Sequence, residues 1–191
     1  NLDVINWFKG DHPVKAVGFG SRQRRVTGDQ YDNFSIDFTY EDGTKMHSMS
    51  RQINGTTNNV SEYIRGTKGY TDCATSLHLN DGSVVAETLN PWPATDEEKN
   101  VLKEKYNSPY DQEHIDLVTA IRTNKPIVEA EQLALSTLTA IMGREAAYTG
   151  QMITWEEISK SSMRMGPTEY VMGPVDMEIV VPVPGTAHGQ F

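Results

Sequence analysis

Residues able to do chemistry gather at two places in this 191-residue chain. Asp3 stands in the first turn of an opening segment, Asn1-Leu2-Asp3-Val4-Ile5-Asn6-Trp7-Phe8-Lys9-Gly10, whose apolar spacing is helical and whose glycine is a stop signal. A carboxylate there meets the positive end of the helix dipole, which by itself accounts for its presence. Gly28-Asp29-Gln30-Tyr31-Asp32 then crowds polar groups ahead of an alternating stretch. Asp29 and Gln30 together offer donors and acceptors suited to sugar hydroxyls, and Arg22 and Gln23 offer a similar mix. The competing reading is a plain turn rich in Asp and Gly. Gly18-Phe19-Gly20 imitates the start of a dinucleotide-binding loop. The third glycine is missing, since Gln23 holds that position, and Arg22, Arg24 and Arg25 lead into Thr27-Gly28 instead of an apolar helix. A strand end or bulge is expected there, with no cofactor bound.

Other chemistries find no support. The five histidines, His12, His47, His78, His114 and His188, lack metal-ligand spacing. No nucleophile elbow or phosphate-cradling lysine loop occurs. Cys73 is the single cysteine, which excludes an internal disulfide and a cysteine-based zinc site. Lys and Arg number 17 against 26 Asp and Glu, a formal net charge of −9. That balance disfavours a nucleic-acid backbone or an anionic membrane as partner. No run approaches the roughly 18 apolar residues of a membrane helix. Three glycosylation-like triplets, at Asn33, Asn54 and Asn59, read as chance matches. The compartment stays open: cytoplasmic by default, periplasmic if a signal lies upstream. Trp7, Trp92 and Trp155 suit core or interface positions.

The elements that must hold these residues fall into two halves. Strands come first. Pro13 to Val17 is short and extended, and Tyr31 to Tyr40 alternates, with Phe34, Ile36, Phe38 and Tyr40 on one face. Asp42-Gly43 signals a two-residue hairpin turn. That turn would pair Phe38 with His47 and Ile36 with Met49, leaving Asn33, Ser35, Asp37, Ser48 and Ser50 on a polar second face. Val60 to Ile64 is a further strand, and Asn80-Asp81-Gly82-Ser83 signals a second hairpin. Helices follow. Thr95 to Glu98 is a capping box, and Ser108-Pro109 opens a helix with the stripe Leu117, Val118 and Ile121. The longest helix runs from about Glu129 to Tyr148, with Leu133, Leu135, Leu138, Ile141 and Met142 as its apolar face. Trp155 to Ser161 is a short helix. From residue 166 onward the chain is a Pro- and Gly-rich tail, read as an arm across a neighbour or a loose end. Strands followed by helices predict an α+β fold: an open, mainly antiparallel sheet with helices packed on one face.

Four stretches carry a resemblance to a known family. The opening helix resembles the His-x-x-Asp helix of the Gfo/Idh/MocA oxidoreductases, with Asp3 in the Asp position and the His falling immediately before Asn1. Tyr40 to Thr44 resembles that family's strand-turn-strand, and Arg65-Gly66-Thr67-Lys68-Gly69 resembles its glycine-bounded strand end. Ala140 to Gly150 with Ile153-Thr154-Trp155 is similar to its closing helix and strand. Gly28 to Asp32 and Ser50 to Ile53 resemble a bacterial subgroup.

The resemblance covers the chain to about Ser162 and implies several things. Residues 1–165 would be a C-terminal, dihydrodipicolinate-reductase-like domain for substrate and oligomer contacts, and 166–191 a tail. An N-terminal Rossmann domain, absent from this chain, would bind NAD or NADP and supply a lysine. The parent would be a sugar or cyclitol dehydrogenase, a homo-oligomer through the sheet face. Asp3 would orient the histidine or a sugar hydroxyl, while Arg22, Gln23, Asp29 and Gln30 would line the substrate side. Alone, the chain would be inactive and would bind no cofactor. Two rivals remain open: a non-catalytic assembly or carbohydrate-binding module, and an NAD-assisted glycosidase or lyase as parent.

Overall fold

The computed structural model describes residues 1–73, 76–87, 108–167, 169–174 and 180–186. The Thr95 to Glu98 capping box, Trp92, His188 and Ile179 lie outside the described residues. The chain divides into two compact units, Leu2–Asn58 with Ala130–Phe191, and Asn1 with Asn59–Glu129. The helices are α1 Leu2–Lys9, α2 Pro109–Thr123, α3 Ala130–Thr149 and α4 Trp155–Ser159. The strands are β1 Lys15–Ser21, β2 Asn33–Thr39, β3 Lys45–Arg51, β4 Ile64–Arg65, β5 Gly69–Thr71, β6 Ser76–Leu79, β7 Val84–Glu87 and β8 Ile153–Thr154. The fold is α+β. Its strands form two four-stranded sheets, in the orders β3-β2-β1-β8 and β4-β5-β6-β7, and every pairing is antiparallel.

In the unit that holds α3, helix and sheet share one core. Ala16, Ile36, Phe38, Tyr40 and Met46 from the sheet meet Met142, Ala146 and Ala147 of α3, with Ile153 and Ile158 closing the end. Each fully buried large apolar side chain contributes about 1.5–3 kcal/mol. Of the predicted apolar face of the long helix, Leu138, Ile141 and Met142 do meet the core, and the N-terminal part needs correction. Leu133 is exposed, whereas Ser136, Thr139, Met142, Gly143 and Ala146 are buried. Small residues dominate that stripe because the sheet comes close: a Cβ on Gly143 would stand 2.6 Å from the Phe38 ring. In the other unit Pro109 does open α2, and Asn124 ends it in a left-handed conformation. Leu117, Val118 and Ile121 are exposed there, and Ala120 is the buried residue of α2.

The β2–β3 register differs from the predicted one by a residue. Asp37 pairs with His47, Ile36 with Ser48 and Phe34 with Ser50. A two-residue turn of the expected kind needs positive φ at both central positions. Only Gly43 adopts it, at φ 83, so the loop takes three residues, 41–43. Gly43 N donates to Tyr40 O at 3.0 Å and Tyr40 N to Thr44 O at 2.9 Å. The β6–β7 hairpin repeats the pattern: Gly82 N to Leu79 O is 3.0 Å, and Leu79 N to Ser83 O is 2.9 Å. A one-residue slip exchanges the faces of a strand. Ser48 and Ser50 therefore belong to the helix side, and Met49 and His47 take their place on the uncovered face. That face shows the cross-strand rows Phe19–Ser35–Met49 and Val17–Asp37–His47.

Gly18-Phe19-Gly20 lies in the interior of β1 instead of at its end, as part of a strand that continues to Ser21. A Cβ on Gly18 would stand 2.6 Å from Ser35 O and 2.9 Å from the Ile36 Cα, both backbone atoms. Gly18→Ala should therefore force β1 from β2 and lower stability by about 1–3 kcal/mol, as overpacking does. Denaturant titration of the two proteins measures the difference.

Candidate functional site

Asp3 extends from the first turn of α1 toward α3. Its Oδ1 accepts from Ser136 Oγ at 2.6 Å and from Gln132 Nε2 at 3.0 Å. Ser136, then Gln132, hold the Asp3 carboxyl below the usual carboxylate range. One turn deeper lies Asn6, only 2% exposed. Its Nδ2 donates to Thr139 Oγ1 at 3.1 Å and, at 3.5 Å, to Ser136 Oγ, while its Oδ1 accepts from the Tyr40 hydroxyl at 2.7 Å. Burial pushes the Tyr40 hydroxyl up to about 12, with the nearby charge of Asp11 adding to the rise. The carboxylate of Asp3 is thus held at the edge of a polar network that ties α1 to α3 and to the end of β2.

The second cluster is the loop between β1 and β2. Asp32, 2% exposed, organises it. Its carboxylate accepts from the backbone N–H groups of Gln23, Arg24 and Arg25 at 2.7–3.1 Å, and from Asn33 Nδ2 at 3.0 Å. Those bonds, the Arg24 amide foremost, drive its titration well below the usual carboxylate range. Three successive amides turned toward one anion form a nest, here filled by the chain's own side chain. Arg22 braces the same loop: Nε donates to Arg25 O and Nη1 to Gly28 O, both at 2.6 Å. Gln23 is exposed and donates to Ser21 Oγ at 2.9 Å. Asp29 is half-buried and Gln30 exposed. So the structure brings Arg22, Gln23, Asp29 and Gln30 together on one loop. Among the described residues no hydrogen bond or ion pair joins Asp3 to it.

At the far side of that loop Tyr31 meets the end of α3. Its ring packs edge-on against Tyr148, with centroids 4.7 Å apart, and its hydroxyl donates to Pro182 O at 2.8 Å. Gly185 N donates to Thr149 O at 2.9 Å. Residues 180–186 of the tail thus lie on their own chain. Sequence reasoning had not marked Asn6, Ser136, Thr139, Asp32 or Tyr148 as candidates. One signal was present: Ser136, Thr139 and Gly143 share a helix face that a plain apolar stripe would fill with leucine.

Among the described residues no three His, Cys, Asp or Glu side chains converge as metal ligands, and no helix is long and apolar enough to cross a membrane. No family model and no curated protein matches the chain. Solved structures do. Myo-inositol 2-dehydrogenase from Lactobacillus plantarum matches with TM-score 0.54 and 18% identity, over 80% of this chain and 45% of that one. Scyllo-inositol dehydrogenase from Lactobacillus casei, solved with NAD(H) and scyllo-inositol, matches with TM-score 0.54 and 18% identity, over 83% of this chain and 46% of that one. An Agrobacterium radiobacter oxidoreductase, solved with NAD+, L-tartaric acid and magnesium, matches with TM-score 0.52 and 15% identity, over 80% and 46%. The chain shares its α+β fold with part of each of these proteins. This chain spans less than half the length of each of these proteins.

The Asp3 network gives a direct check. Ser136→Ala removes the largest cause of the depressed titration, so the Asp3 carboxyl should titrate closer to an ordinary aspartate. Side-chain carboxyl NMR across the acid range reads this. The sign follows from linkage: a depressed folded-state value stabilises above the unfolded value, and that stability fades as pH falls through the folded value. The variant should lose part of this acid-side dependence. An unchanged Asp3 titration would mean that the Ser136 bond does not form in solution.

Proposed function

We propose that this chain is the substrate-side and oligomerisation domain of an NAD(P)-dependent sugar or cyclitol dehydrogenase of the Gfo/Idh/MocA type. The observation that carries the reading is the fold shared with two inositol dehydrogenases over 80% and 83% of this chain. The clusters described above support it. Asp3 presents a carboxylate that is ionised at neutral pH and fixed by two donors, which suits a group that orients a base or accepts from a hydroxyl. Gln23 and Gln30 leave amides exposed on a loop whose backbone Asp32 and Arg22 have already ordered.

The glycines of β1 do not form the turn that seats a nicotinamide dinucleotide. Gly18 to Gly20 pair along their length with β2, and no helix follows them to receive a pyrophosphate. Cofactor and hydride chemistry therefore belong, in this reading, to an upstream domain of the parent. Residues 1–165 are the domain proper and 166–191 its tail. The test is a polypeptide carrying that upstream domain, assayed with NAD+ or NADP+ and a panel of inositols and aldoses. Reduced cofactor should appear in step with oxidised substrate. Asp3→Asn should lower kcat/KM about 10–100-fold, the worth of one hydrogen bond to a charged group. The isolated chain should stay inert and bind no NADH. Product without net NADH would favour the glycosidase or lyase reading instead.

The uncovered sheet face favours the oligomer part of the proposal. Phe19 is 72% exposed and Met49 78%, side by side across Ser35. Apolar groups in one cross-strand row offer a second copy area to bury. With a net charge of −9 on each copy, added salt should strengthen self-association by screening repulsion. Sedimentation should show a dimer or larger species that Phe19→Ser weakens. A monomer at high protein concentration and high salt would remove this part of the reading.

A further inference from the structure

We infer that Asn54 is a site of spontaneous deamidation in the folded protein, the result of an unprotected Asn-Gly pair. The reaction needs only water. The backbone nitrogen of Gly55 attacks the Asn54 side-chain carbonyl carbon, ammonia leaves, and a cyclic imide forms. Water then opens the imide at either carbonyl, giving aspartate or isoaspartate. The step requires a bare amide nitrogen, an unhindered path and a neutral amide as electrophile.

Asn54-Gly55 meets all three requirements. Both residues are exposed in the turn that follows β3. Among the described residues no hydrogen bond engages the Gly55 N–H or the Asn54 side chain, and glycine adds no Cβ to block the approach. The turn is held around them rather than through them. Thr56 Oγ1 donates to Ile53 O at 2.7 Å, and Arg51 Nη2 donates to Thr57 O at 3.2 Å.

Two related pairs in the same molecule show what protection looks like. Asp42-Gly43 and Asp81-Gly82 could form the same imide by losing water. Their glycine nitrogens are already bonded, Gly43 to Tyr40 O and Gly82 to Leu79 O, both at 3.0 Å. Their carboxylates are bonded too. Asp42 accepts from Lys9 and from Thr44 N, and Asp81 accepts from Ser83 N and Oγ. Both are carboxylates at the pH of the test, and a carboxylate is a poor electrophile. The product at Asn54 would carry a new negative charge in the turn closed by Arg51, and isoaspartate would also lengthen the backbone there.

The experiment is incubation of the intact folded chain at mildly alkaline pH. Peptide mass spectrometry with fragmentation then distinguishes amide, aspartate and isoaspartate at each asparagine. Asn6, Asn33 and Asn80, whose amides are hydrogen-bonded, serve as internal controls. Conversion should concentrate at Asn54, yield both products and add one negative charge to the chain. It should be lost in Asn54→Gln, which leaves the turn glycine in place. Conversion spread evenly over the controls, or an Asn54 that stays intact while a free peptide of residues 52–65 converts, would overturn the inference.

Discussion

One buried amide ties helix to helix and helix to sheet. Asn6 is the buried residue of α1, and its side chain joins Ser136 and Thr139 of α3 with the Tyr40 hydroxyl at the end of β2. A buried polar group left without partners costs about 1–3 kcal/mol. Asn6, Thr139 and Tyr40 lie within the interior together, so each depends on the others. Such a network specifies geometry more sharply than apolar contact, because a shifted helix leaves several groups unpaired at once. The position of Asp3 follows from this. It stands one turn before Asn6 on the same helix face and shares Ser136 as a partner. The carboxylate therefore inherits its orientation from the network beneath it.

The loop between β1 and β2 reaches a similar end by different means. Strand periodicity cannot order its backbone, and apolar packing enters only at its end, where Tyr31 meets Phe34 and Tyr148. Asp32 supplies the order by gathering three amides, and Arg22 by gripping the carbonyls of Arg25 and Gly28. Gln30 is exposed and carries none of these bonds, while the Gln23 side chain spends its amide N–H on Ser21 Oγ. Tyr31 and the segment 180–186 then fasten the loop's far end to α3.

The α+β class and most element positions were legible in the sequence, because alternation and helical spacing report directly on burial. The register of β2 and β3 was not. It turned on whether Asp42 as well as Gly43 would adopt positive φ, and an aspartate can cap a turn from ordinary φ by accepting from Thr44 N. The polar cluster at Gly28 to Asp32 was visible, yet its central residue was not. Asp32 matters through the backbone of residues 23–25, and no pattern of side chains reports where backbone amides point. Asn6 was hidden for a related reason: a polar residue in an amphipathic helix reads as surface until its partners are known. On α3, Leu138, Ile141 and Met142 were read correctly, whereas Ser136, Thr139 and Gly143 were not, since small residues mark a close approach and not a solvent face.

The corrected register also separates two surfaces that the predicted one had mixed. Ser48 and Ser50, expected on the outer face, lie on the helix side. Met49 and His47 lie outside with Phe19, Val17 and Asp37. Asp3 and its network stand on the helix side of the sheet, while the exposed apolar rows stand on the other. A substitution in the outer rows touches none of the hydrogen bonds that fix Asp3. A substitution in the Asn6 network leaves the outer rows in register, because β1, β2 and β3 are held by their own ladder. Association and chemistry, where the chain carries both, are thus open to change independently, with the shared core of Ile36, Phe38 and Met142 as the part that neither can alter freely.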